Sequence, residues 1–140
     1  MTGQGASVGV ESHRRARGVL ESQRADAIVM HVPGTDYHLH LAVYKALDTP
    51  VGKRITGTIR AQARRIDSVG TGGAYLEPIM GEPRRIQGTV LETDATDQTI
   101  TVRSSVPVVV KVGAGQRAEQ FASGDMVAFD VLSGTSFTPA

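Results

Sequence analysis

The stretch Arg54-Ile55-Thr56-Gly57-Thr58-Ile59-Arg60-Ala61-Gln62-Ala63 alternates without a break, with Ile55, Gly57, Ile59, Ala61 and Ala63 on one side and polar residues on the other. A period of two sends successive side chains to opposite faces of a sheet, so this is a strand with a small apolar inner face and a polar outer one. Gly57, which lacks a Cβ, marks where such a strand can bend or be approached closely. The pair Arg64-Arg65 ends the alternation.

Before this strand, residues 17–22, 27–32 and 37–44 have strand length and are separated by hairpin-sized polar loops, one of them Pro33-Gly34-Thr35-Asp36. Residues 45–50 are expected as a single helical turn. Residues 1–12, with Gly3, Gly5 and Gly9 and no period, are expected as a flexible lead-in. After it, residues 69–83 concentrate Gly70, Gly72, Gly73, Pro78, Gly81 and Pro83, the punctuation of a join. Residues 85–93, 98–104, 106–112 and 126–132 again have strand character, with a turn at 94–97 and a short helical spacing at 116–122. Pro107 suggests that its strand begins at a sheet edge. The expected organisation is the lead-in, a first β-barrel-like unit over 13–82 that includes the Gly/Pro-rich junction, and a second unit over 83–140.

The two units echo each other. Gly18, Val19, Leu20 and Glu21 match Gly88, Val90, Leu91 and Glu92 with a one-residue slip, and Ile28 and Met30 match Ile100 and Val102. Residues 37–43 match 106–112, and 52–59 match 124–131. An interval of about seventy residues suits a duplicated small domain, not a solenoid repeat. The fold class that follows is all-β: two tandem small β-barrel-like units, separate or merged into one body, with at most short helical turns. Their order of features resembles the OB type of Greek-key barrel. The second unit has little chain after Leu132 for a fifth strand unless residues 134–138 pair briefly.

Of the 140 residues, 40% are hydrophobic and 21% charged, a globular balance. No apolar run approaches the roughly 20 residues of a spanning helix, and the start lacks the basic-then-apolar pattern of a secretory signal, which points to the cytoplasm. The absence of cysteine excludes disulfides, thiol nucleophiles and cysteine-ligated metals. The net charge of +1 hides an asymmetry: residues 1–85 hold 12 Lys/Arg against 8 Asp/Glu, and residues 86–140 hold 3 against 6. Opposite signs let two units, or two copies of the chain, attract each other; a basic half can also face an anion.

Candidate chemistry is sparse. His38 and His40, two apart on a strand, share a face and are weak metal candidates, with Asp26 and Asp36 in nearby turns; Leu39 and Leu41 facing a core is the ordinary explanation. Arg54, Arg64, Arg65, Arg84 and Arg85 form the candidate anion- or nucleic-acid-binding set, because guanidinium groups fork onto phosphates. No Trp, three Tyr and three Phe argue against a base-stacking platform. Gly52-Lys53 lacks the upstream glycine and the following Ser/Thr of a phosphate loop. The run Asp67, Ser68, Gly70, Gly72, Gly73 resembles the Asp-x-Ser-x-x-Gly loop of PilZ-type cyclic-dinucleotide barrels, but Ser68 follows Asp67 directly and a plain turn is expected.

No serine lies in a Gly-x-Ser-x-Gly elbow, and Glu77 and Glu82 have no evident partner, so no catalytic residue and no cofactor are assigned and enzymatic activity is left open. The function expected is a non-enzymatic β module for protein association or self-association, through strand edges or an apolar face. Nucleic-acid or nucleotide binding through the arginines is the alternative. Any site is expected at the junction, residues 64–85.

Overall fold

The computed structural model describes residues 13–140, so the lead-in expected at 1–12 lies outside the described residues. The strands are β1 (Arg15–Arg24), β2 (Ala27–His31), β3 (His38–Ala42), β4 (Arg54–Ser68), β5 (Tyr75–Glu77), β6 (Met80–Gly81), β7 (Arg85–Asp94), β8 (Thr99–Arg103), β9 (Pro107–Lys111), β10 (Met126–Val131) and β11 (Ser136–Pro139). A 3-10 turn, Ala118–Gln120, falls where helical spacing was expected. Residues 45–50 form bends instead of a helical turn. The reason is the Gln23 side chain: Oε1 accepts from the Leu47 N–H while Nε2 donates to the carbonyls of Leu47 and Thr49, taking groups a helical turn would use.

The fold is all-β and built twice. Strands β1–β3 and β7–β9 are antiparallel meanders, each with an irregularity at the same point, between Leu20 and Ser22 and between Val90 and Glu92. A long arm follows each meander. The first arm, β4, runs antiparallel to β1 and then, farther along, parallel to β9 at Arg60–Gln62. The second runs antiparallel to β7 as β10 and, after a break, meets β3 in parallel as β11 at Ser136. The arms also lie antiparallel against each other, with Val131 opposite Ala63 and Phe137 opposite Ile59.

These pairings close two OB-like rings, β1-β2-β3-β11-β4 and β7-β8-β9-β4-β10. The fifth strand missing from the second unit is the distal part of β4, and the short C-terminal strand β11 completes the first ring. Pro107 is the first residue of β9, yet β9 is no edge, because β4 lies on its far side.

Turn chemistry fixes the equivalence. Gly52 N–H donates to the Leu20 carbonyl at 2.7 Å and Leu20 N–H to Lys53 at 2.9 Å; in the second unit Gly124 donates to Val90 and Val90 to Asp125, both at 2.8 Å. Leu20 therefore corresponds to Val90, and the one-residue slip read from the sequence does not exist. Gly52 and Gly124 have φ of +93° and +96°, the left-handed region where glycine carries no Cβ penalty. One buried cluster runs through both rings, from Leu20, Ile28 and Leu39 to Ile86, Ile100 and Phe129, so the units are merged in a single core.

Candidate functional site

At the junction, an open groove of about 780 Å3 lies between the β5–β6 segment, the start of β7 and the end of β10. Strand β5 is held against β7 in the register Leu76–Ile86 and Glu77–Arg85. Alternation buries Leu76 and turns Glu77 outward. Just beyond, Ile79 and Met80 are 56% and 63% exposed, because the two-residue β6 pairs with β3 at a single short step.

Three of the five expected arginines, Arg64, Arg84 and Arg85, line this groove. Arg85 Nη1 donates to Asp130 Oδ1 at 3.0 Å and Nε to the Tyr75 hydroxyl at 3.3 Å. The Tyr75 hydroxyl and then the Asp130 carboxylate hold the pKa of Arg85 above its ordinary value. Arg54 does not join them: it starts β4 opposite Val19. Nor does Arg65, whose Nε meets Asp67 Oδ1 at 3.0 Å on the exposed face of β4. Glu77, Glu82 and Asp130 also line the groove, so its formal charges cancel. A track for a polyanion needs an excess of positive charge, which this groove lacks.

His38 and His40 both face outward, as alternation requires. His38 Nδ1 lies 2.6 Å from Glu21 Oε1, and its ring stacks on that of His31 at 4.8 Å. Among the described residues no group of three His, Asp or Glu is placed to hold a metal ion.

Sequence reasoning missed a second feature. Between the equivalent points Ile59/Val131 and Gln62/Ser136, the first arm has residues 60–61 and the second has 132–135. The extra Ser133 and Gly134 bulge out beside the junction, and Glu82 Oε1 accepts from the Gly134 N–H at 2.6 Å. They wall a cavity of about 490 Å3 on the outer face of β1–β3. Carrying the match of the two arms past Ile59 and Val131 would have exposed this insertion.

No family model matches the sequence, and no curated protein matches it. Among solved structures the chain is similar to the cytoplasmic molybdate-binding protein ModG, in a form with molybdate bound, at 13% identity and a TM-score of 0.48, covering 90% of this chain and 94% of that one. Among the described residues, no helix is long and apolar enough to cross a membrane.

Proposed function

We propose that the chain is a non-enzymatic β module that associates with a second copy of itself through the junction groove. The observation that carries this is the pairing of exposed Ile79 and Met80 with a groove holding equal numbers of arginines and acids. Across a two-fold axis the same patch meets itself, and a charge-balanced patch is self-complementary: Arg64 and Arg84 of one copy face Glu77 of the other around an apolar centre. Association by strand addition has lost its motive, since both rings are closed. Sedimentation velocity over a wide concentration range is expected to show a dimer, and Ile79→Glu together with Met80→Glu to shift it to monomer with the circular dichroism unchanged. A native chain that stays monomeric, or a dimer indifferent to the double substitution, would overturn the proposal.

The convergence of Arg64, Arg84 and Arg85 supports one alternative, a local phosphate contact with a nucleotide or a single-stranded nucleic acid, which the matching Glu77, Glu82 and Asp130 oppose. Fluorescence anisotropy with a labelled oligonucleotide at low salt tests it, and no change in signal ends it.

A further inference from the structure

The polar face of β4 carries the excess of positive charge that the junction groove lacks. Alternation sends Arg54, Thr56, Thr58, Arg60 and Gln62 to the outside. Residues paired across a ladder share a face, so the register extends this row onto the neighbouring strands. Arg15 and Arg17 of β1 lie opposite Thr58 and Thr56, and Val19 lies opposite Arg54. Farther along, Lys111 of β9 lies opposite Gln62. Arg60 and Lys111 line one concavity of about 510 Å3 with Val109. On the other edge of β4, Ser136 and Thr138 stand opposite Arg60 and Thr58.

Arg15, Arg17, Arg54, Arg60 and Lys111 are all exposed. Among the described residues, Arg17, Arg54, Arg60 and Lys111 make no ion pair. At the two ends of the row stand Glu21, which His38 engages, and Asp97, which lines the same concavity as Lys111. The second ring shows how such a row is neutralised. There Arg85, equivalent to Arg15, lies opposite Asp130 and donates to it at 3.0 Å, whereas the first ring has Thr58 in the place of Asp130. Arg17 and Arg54 likewise correspond to the uncharged Gln87 and Met126. The fold is therefore built once without this charge, and a row of like charges costs stability through self-repulsion unless an anion meets it.

We propose that this face binds the sugar-phosphate backbone of a nucleic-acid duplex without reading its bases. Guanidinium groups fork onto phosphates, and the Thr and Ser hydroxyls between them add donors. From Arg54 to the level of Lys111 the row runs about 27 Å along β4, the rise of about eight base pairs. No aromatic side chain stands on β1, β4 or β9, so the bases of a single strand find no platform there. Val19 is half-buried and Val109 buried, which leaves little apolar surface to enter a lipid interface. None of the five cations named lines the junction groove, so a chain made monomeric by Ile79→Glu and Met80→Glu is expected to bind the duplex still.

The test is fluorescence anisotropy of the full chain with a short labelled DNA duplex over a range of salt. Saturable binding is expected at low salt, with log K falling against log salt at a slope of about −4. Arg17→Ala together with Arg60→Ala is expected to weaken binding roughly tenfold and to flatten the slope by about 2, with the circular dichroism unchanged. Arg24→Glu, which removes as much net charge at an exposed position off this face, is expected to leave the slope as it was. No binding at low salt, a double variant that keeps the native slope, or an equal effect of Arg24→Glu overturns the proposal. So does a single strand bound more tightly than the duplex, or equal binding to phosphatidylserine vesicles.

Discussion

The two arms occupy equivalent places and divide the work unequally. At matching inward positions the first arm has Gly57, Ala61 and Ala63, and the second has Phe129, Thr135 and Phe137, all buried. The second arm thus supplies the two phenylalanines and the first arm the small residues, with Phe137 seated over Gly57. A Cβ added at Gly57 would run into the Phe137 ring and the Thr138 carbonyl, so the small residue is what lets the large one seat. The duplicated architecture has become a pair of complementary parts. Close packing tolerates neither two large arms nor two small ones.

The most severe way to break that complementarity is to separate the arms. Cutting the connection between β4 and β5, to give fragments 1–71 and 72–140, removes the fifth strand of each ring and opens its edges. Units of about sixty residues are marginal even when intact. Neither fragment is expected to show a cooperative melt by circular dichroism, and an equimolar mixture is expected to regain one. A first fragment that melts cooperatively alone would show that the exchanged strand is dispensable.

The exchange explains how far the sequence could be read. Strand positions and the correspondence of the meanders are local, written in period-two alternation and in Gly18, Gly52, Gly88 and Gly124, and they were legible. Which strand completes which ring depends on contacts between residues as far apart as Ile59 and Phe137, on which alternation is silent. The insertion Ser133-Gly134 hid for a related reason: two extra residues leave every later side chain on its proper face, so the pattern on either side is undisturbed. At the site, the junction was legible because it collects Gly and Pro, and it does bring Arg64, Arg84 and Arg85 together. That Arg54 and Arg65 stand apart, and that the Thr135 hydroxyl is buried without a hydrogen-bond partner among the described residues, are facts of three-dimensional neighbourhood that no spacing encodes.

A milder comparison uses Gly18 and Gly88, equivalent positions where the first strand of each meander is approached closely by the second. A Cβ at Gly88 would strike the backbone carbonyl of Arg103, while at Gly18 the nearest atom is Cγ of the flexible Met30 side chain at 2.5 Å, with the His31 carbonyl at 2.7 Å. Overpacking against fixed backbone costs more than against a movable side chain, so Gly88→Ala is expected to destabilise by about 3 kcal/mol and Gly18→Ala by about 1–2 kcal/mol. Urea unfolding of the two variants measures this, and the reverse order would refute the equivalence as drawn.

The smallest expected effect comes from a carboxylate that only the second unit carries. Glu119 accepts from Gln98 Nε2 at 2.8 Å and from Arg117 Nη2 at 2.8 Å, and these bonds, Gln98 foremost, pull its pKa from 4.5 down to about 2. A pKa lower in the folded chain than in the unfolded one means that the unfolded state takes up the proton first as the pH falls. The stabilisation is therefore full above pH 4.5 and is lost on the way down to about pH 2. Glu119 is exposed, so water screens much of it. Glu119→Gln is expected to melt slightly below the native chain at neutral pH, with the gap closing as the pH approaches 2. A gap that stays constant over that range would mean the Gln98 and Arg117 contacts act through packing and not through charge. The second unit's 3-10 turn would then be no more electrostatically fastened than the bends at 45–50 in the first.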